Sequence, residues 1–179
     1  MTTIPFPLTP YEAEAAARGE LGVIIRPCGV QAKFMQQLRN GSFEMSQDGG
    51  FDCDVSVVVP PAQPGDVIVG LESWHKEKGL GLLYEAEHLE ATGICWQPAA
   101  TMPPEFARHR WPVESVECKR LHPMPAEHAA AAGFDWPESE PGALVMGQHE
   151  FVYAWDVQFP AYPWDSNLFV WLHWLGGAE

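Results

Sequence analysis

The segment Leu168-Phe169-Val170-Trp171-Leu172-His173-Trp174 limits the fold of this chain more than any other. In an extended strand side chains alternate between two faces. Leu168, Val170, Leu172 and Trp174 therefore stand on one face, and Phe169, Trp171 and His173 on the other. Both faces are mostly apolar, and a strand apolar on both faces is normally covered on both. The fold has to supply the interior of a sheet on one side and a helix on the other. The helix candidate carries Phe151, Ala154, Trp155 and Gln158 on one face.

The remaining segments are short. Thr9-Pro10-Tyr11-Glu12 predicts a helix start: Thr9 caps the free amides, Pro10 suits the first turn and Glu12 completes a capping box. That helix runs to Arg18 and stops at Gly19. Val23 to Arg26 is a β-branched strand ending at Pro27. Residues 29 to 50 are read as an embellishing loop. Within them Phe34, Met35 and Leu38 point to a helical turn, and Asn40-Gly41 and Gly49-Gly50 mark turns. Val55 to Val59 is a strand stopped by Pro60-Pro61. Pro64-Gly65-Asp66 turns into an extended run from Val67 to Trp74, with Ile68, Glu72 and Trp74 on one face and Val67, Val69 and Leu71 on the other. Leu80 to Tyr84 and Val116 to Lys119 are further strands, and Pro125 to Ala132 is a helix closed by Gly133. The expectation is one α+β domain over residues 1–179: a small β-barrel with peripheral short helices.

Charge narrows the function. Ten Lys and Arg against 24 Asp and Glu give a net charge of −14. A surface of that sign repels phosphate backbones, so weak or no duplex DNA binding is expected. Arg120 is the last basic residue. Beyond it lie eight acids, Glu127, Asp135, Glu138, Glu140, Glu150, Asp156, Asp165 and Glu179. That stretch is a solvated face, a surface for a basic partner protein, or one that imitates nucleic acid. Cys28, Cys53, Cys95 and Cys118 are far apart without metal-ligand spacing, so reduced, mostly buried thiols are expected and no metal or cofactor. No basic-then-apolar leader opens the chain and no apolar run approaches spanning length, which predicts a cytoplasmic protein.

Several segments occur in the order used by the ASCH-like family common in phage genomes. Pro64-Gly65-Asp66 followed by Leu71-Glu72-Ser73-Trp74 resembles that family's Pro-Gly-Asp…Arg-Glu-Thr-Trp segment. Trp96-Gln97-Pro98 with Met102-Pro103 and Ala107-Arg108 is similar to its Trp-x-Pro-Ser-x-x-Met-Pro…Ser-Arg segment. The helix at Pro125-Ala126-Glu127-His128 through Gly133 has a counterpart there. So does the ending Trp155-Asp156, Trp164-Asp165-Ser166-Asn167 and Phe169-Val170-Trp171. The resemblance implies a PUA-like barrel that binds RNA, or a nucleobase or nucleotide, modified ones included, in a cleft near Arg26, Glu72 and Arg108. It also implies work in a bacterial or phage-infected cell. Some bacterial relatives deacetylate 4-acetylcytidine with a Lys, a Thr and a Glu. Here the Lys position holds Leu21 and the threonine positions hold Gly22 and Ile24, leaving Glu72 alone. Without nucleophile and activating amine the chain reads as a degenerate relative of those hydrolases, closer to a binding module than an enzyme. The competing class is an acidic phage-type interaction module for a host or virion protein.

Each candidate site residue has two readings. Glu72, on a strand among apolar neighbours, either contacts a ligand or braces the barrel by pairing with Arg26 or Arg108. Arg26 and Arg108 can fork to phosphate or to a carboxylate. Trp74, Trp96 and Trp164 can stack a base or pack the core. Asp165 and Asn167 match the family turn, and both residue types favour turns for local reasons.

Overall fold

A computed structural model describes residues 1–46, 55–79, 81–134 and 142–177. In chain order its elements are β1 (Thr3–Pro7), α1 (Pro10–Arg18), β2 (Val23–Pro27), β3 (Phe34–Gln37), β4 (Phe43–Ser46), β5 (Val55–Val58) and β6 (Val67–Leu71). There follow β7 (Trp74–Glu77), β8 (Gly81–Tyr84), β9 (His109–Arg120), α2 (Ala126–Ala131), α3 (Ala143–Gln158) and β10 (Phe169–Leu175). The strands form three open sheets, of order β1-β6-β9-β10-β2, β3-β4-β5 and β7-β8. The β1–β6 pair is parallel and the others are antiparallel.

The last strand lies where its two apolar faces require. β10 runs between β9 and β2. Phe169 and Trp171 enter one core with Phe6, Ile24, Ile68, Trp111 and the alanines of α1. Val170 and Leu172 enter a second core with Phe151, Ala154 and Trp155 of α3. Burying each such side chain contributes roughly 1.5–3 kcal/mol, so this strand is the main tie between the two layers.

All five strands of the large sheet line the first core, so the sheet curls around it. Among the described residues it does not close as a barrel: hydrogen-bonded pairing ends at β1 on one edge and β2 on the other. A side chain spans that gap instead: Arg26 Nη2 donates to the Pro7 carbonyl at 2.7 Å.

The first helix forms as read. Thr9 Oγ1 accepts the Glu12 amide at 3.3 Å, Glu12 Oε2 accepts the Thr9 amide at 2.8 Å, and Gly19 closes the helix at φ 75°. Three segments differ from expectation. The N-terminal residues form β1, which Pro5 and Pro7 hide; proline is tolerated there because β1 is an edge strand. The loop and helical turn expected within 29–50 are instead the β3–β4 hairpin. Asn40-Gly41 makes its turn, Phe43 packs into the first core, and Met45 on the same strand is buried too. The run expected to reach Trp74 breaks after Leu71, so Glu72 and Ser73 connect two strands of different sheets. Gly49-Gly50, Cys53 and Leu80 lie outside the described residues, as do Asp135, Glu138, Glu140 and Glu179. Among the described residues no helix is long and apolar enough to cross a membrane.

Candidate functional site

The concavity with the most chemical character lies between α1 and the C-terminal half of α3. Gly133 brings its walls together. Its φ is 98°, and a Cβ there would stand 2.7 Å from the Ala15 methyl, so only glycine lets the end of α2 approach α1 so closely. The next residue, Phe134, then packs on Tyr11 with ring centroids 4.6 Å apart. Tyr11, Phe134, Phe151, Trp155 and Phe159 line a pocket of about 110 Å³. That is space for about four waters, or one small ring system.

One ion pair is set into this apolar wall. Arg26 Nη1 and Nη2 donate to Glu12 Oε1 and Oε2 at 2.6 and 2.8 Å. The same guanidinium donates to the carbonyls of Ile25 and Pro7. Its carbon lies 5.9 Å from the Phe6 ring and 5.8 Å from the Phe159 ring. Glu12 thus caps α1 and neutralises Arg26 at once. The fork expected to be open for phosphate is held by a carboxylate of the chain's own first helix. Thr9, whose hydroxyl lies in the lining with those of Tyr11 and Tyr153, is the helix cap.

Glu72 and Arg108 form a separate cluster. Glu72 has no exposed surface. Arg108 Nε and Nη2 donate to its two oxygens at 2.9 and 2.8 Å. Arg108 also pairs with Glu87 and lies 4.2 Å from the centroid of the Tyr84 ring. The hydrogen bond that Arg108 donates to Glu72 leads the effects that hold Arg108 charged more firmly than usual. His109 Nε2 stands 3.5 Å from Glu72 Oε1, and burial lowers the His109 pKa. Trp74 packs beside this cluster against Met102, with Nε1 donating to Thr101 Oγ1 at 3.3 Å.

The third group lies at the start of β10. Asn167 adopts φ 46°, and its Oδ1 accepts the His122 amide at 2.8 Å. Asp156 Oδ1 accepts the Trp164 amide at 2.6 Å, and the Trp164 ring sits 4.2 Å from His122. Asp165 is exposed on the same turn. Trp96 is half-buried beside His75 and His88. Arg26, the Glu72–Arg108–Trp74 cluster and the Trp164–Asn167 turn therefore occupy three places, not one cleft. Only Arg26 lines the aromatic pocket.

Several residues were not singled out from sequence. Glu12 carried a signal as a capping residue and none as the partner of Arg26. Arg120 donates to the carbonyls of Asn167, Ala32 and Lys33 and lies 4.0 Å from the Phe169 ring centroid. His173 is fully buried, 5.3 Å from Phe6, and burial lowers its pKa to about 4. The thiols of Cys28 and Cys118 touch at 3.5 Å, whereas Cys95 is exposed, contrary to the expectation of mostly buried thiols. Hydrogen bonding to Cys118, then burial, push the Cys28 thiol up.

No family model matches this chain, and no curated protein or solved structure matches it either.

Proposed function

We propose that the protein is a binding module that takes a neutral planar ring, a nucleobase or nucleoside, into the pocket between α1 and α3. One observation carries the reading: the wall is aromatic, and its two charged members, Arg26 and Glu12, neutralise each other. Aromatic faces reward a flat π-system by stacking, at about 1–3 kcal/mol per base. A paired arginine offers no open fork to phosphate, and the net charge of −14 opposes polyanions. The ligand is therefore a free base or nucleoside, or one unstacked base of an RNA, in preference to a nucleotide held by its phosphates.

The resemblance to ASCH-like proteins belongs to the same proposal. The curled sheet is then an incompletely closed PUA-like barrel whose gap Arg26 bridges. Deacetylation forms no part of it: Leu21 and Ile24 are core side chains without an amine or a hydroxyl. Thermal shift tests the reading, because a ligand that binds only the folded state raises the melting temperature by mass action. Adenosine, cytidine and 4-acetylcytidine are compared with their 5′-monophosphates on wild type and on Tyr11→Ser, which removes one exposed wall of the pocket. Stabilisation by a nucleoside that disappears in Tyr11→Ser supports the proposal. No stabilisation by any nucleoside, or an equal shift in the variant, counts against it.

A further inference from the structure

The outer face of α3 is apolar where a surface helix is normally polar. Phe151, Ala154 and Trp155 bury the inner face, so the second core needs no more from this helix. Yet Val145, Met146, Tyr153 and Val157 are exposed at 55%, 45%, 71% and 65%. At about 100° per residue, Met146, Tyr153 and Val157 fall within about 40° of one another and form a stripe along the axis. Exposed Glu150 borders the stripe on one side, and exposed Asp156 and His149 border it on the other. An apolar stripe rimmed by polar groups marks an interaction surface.

Charge selects the occupant. The charged residues placed beside the stripe, Glu150 and Asp156, are both acids, and residues 121 to 179 contain no Lys or Arg to offset them. A second copy would set these acids against their own kind, and anionic lipid or RNA would be repelled. An amphipathic segment with apolar side chains along one face and Lys or Arg beside them satisfies both stripe and rim. We propose that the outer face of α3 docks a basic amphipathic segment of a partner protein. Met146 and Tyr153 meet its apolar face, and Glu150 and Asp156 meet its cations.

The stripe adjoins the pocket, since Tyr153 and Val157 also line it, but Met146 and Glu150 do not, so substitutions at these two probe the docking face apart from the pocket's ligand. Fluorescence anisotropy with a short, labelled leucine–lysine amphipathic peptide at physiological salt tests it on wild type, Met146→Glu and Glu150→Lys. Both substituted side chains are exposed, and the melting temperature of each variant confirms its fold. Met146→Glu makes the protein more negative while breaking the stripe. Saturable binding that weakens roughly tenfold in Met146→Glu, and also in Glu150→Lys, is the expected result. Absent binding, or equal or tighter binding by Met146→Glu, would show that net charge alone attracts cations and would overturn the proposal. So would a wild-type dimer in sedimentation, or binding of anionic vesicles or RNA, that Met146→Glu abolishes. Nucleoside stabilisation is expected unchanged in both variants, which keeps failure here separate from failure of the pocket reading.

Discussion

Glu12 and Glu72 are both buried carboxylates, and each receives both arms of one arginine. Their surroundings give them different roles. Glu12 belongs to a helix cap at the edge of the aromatic pocket, so its pair with Arg26 sets that pocket's polarity. Glu72 has no exposed surface, so its pair with Arg108 is structural. Breaking a buried pair from one side leaves an uncompensated charge at about 3–5 kcal/mol. Arg108→Ala is expected to lower stability by about that amount in urea unfolding, and adding Glu72→Gln recovers part of it. A full loss that Glu72→Gln leaves unrelieved would mean that Arg108 acts through its packing on Tyr84.

His173 predicts a pH dependence. Burial holds its folded pKa near 4, against 6.5 for the free side chain. Above pH 6.5 the ring is neutral whether folded or unfolded, and its stability contribution is fully present. As pH falls from 6.5 towards 4 the unfolded chain binds a proton that the folded protein refuses, and about 3 kcal/mol is lost. His109 and His128, also lowered by burial, add to the same window. His173→Met is expected to flatten the dependence of urea unfolding between pH 6.5 and 5. An unchanged slope would place the effect on the other two histidines or on carboxylates.

At the level of elements, β10 and α1 were legible in the sequence because local signals and tertiary need agree in them. The apolar alternation of residues 168–174 demanded cover on both faces, and Thr9, Glu12 and Gly19 marked the helix ends. Trp171 sits 4.8 Å from Phe43 across the first core. Trp171→Ala is expected to cost about 3–5 kcal/mol, lowering the melting temperature by about 10 °C. A variant that melts like wild type would mean this strand serves a ligand and not the core. β1 and the β3–β4 hairpin were hidden for opposite reasons. In β1 the prolines mask an edge strand whose partner lies some sixty residues away. In β3, Phe34, Met35 and Leu38 carry a helical spacing that packing on the first core overrides. The pocket could not be foreseen from spacing, since α1, α3 and the segment after α2 meet only in the folded chain.

For the whole molecule, charge and curvature act together. The curled sheet leaves one edge-to-edge gap, and the residue that spans it also lies in the pocket wall. The net charge of −14 opposes polyanions, so gel shift at moderate salt is expected to show weak or no duplex DNA retention. Tight, sequence-independent retention would show a basic surface that the paired arginines do not provide. The claim that the pocket accepts a neutral planar ring is tested most directly by calorimetric titration of a nucleoside and its 5′-triphosphate into wild type and Tyr11→Ser. Saturable nucleoside binding, weaker for the triphosphate and lost in Tyr11→Ser, is the expected result. Tighter binding of the triphosphate, or nucleoside binding indifferent to Tyr11→Ser, would contradict it.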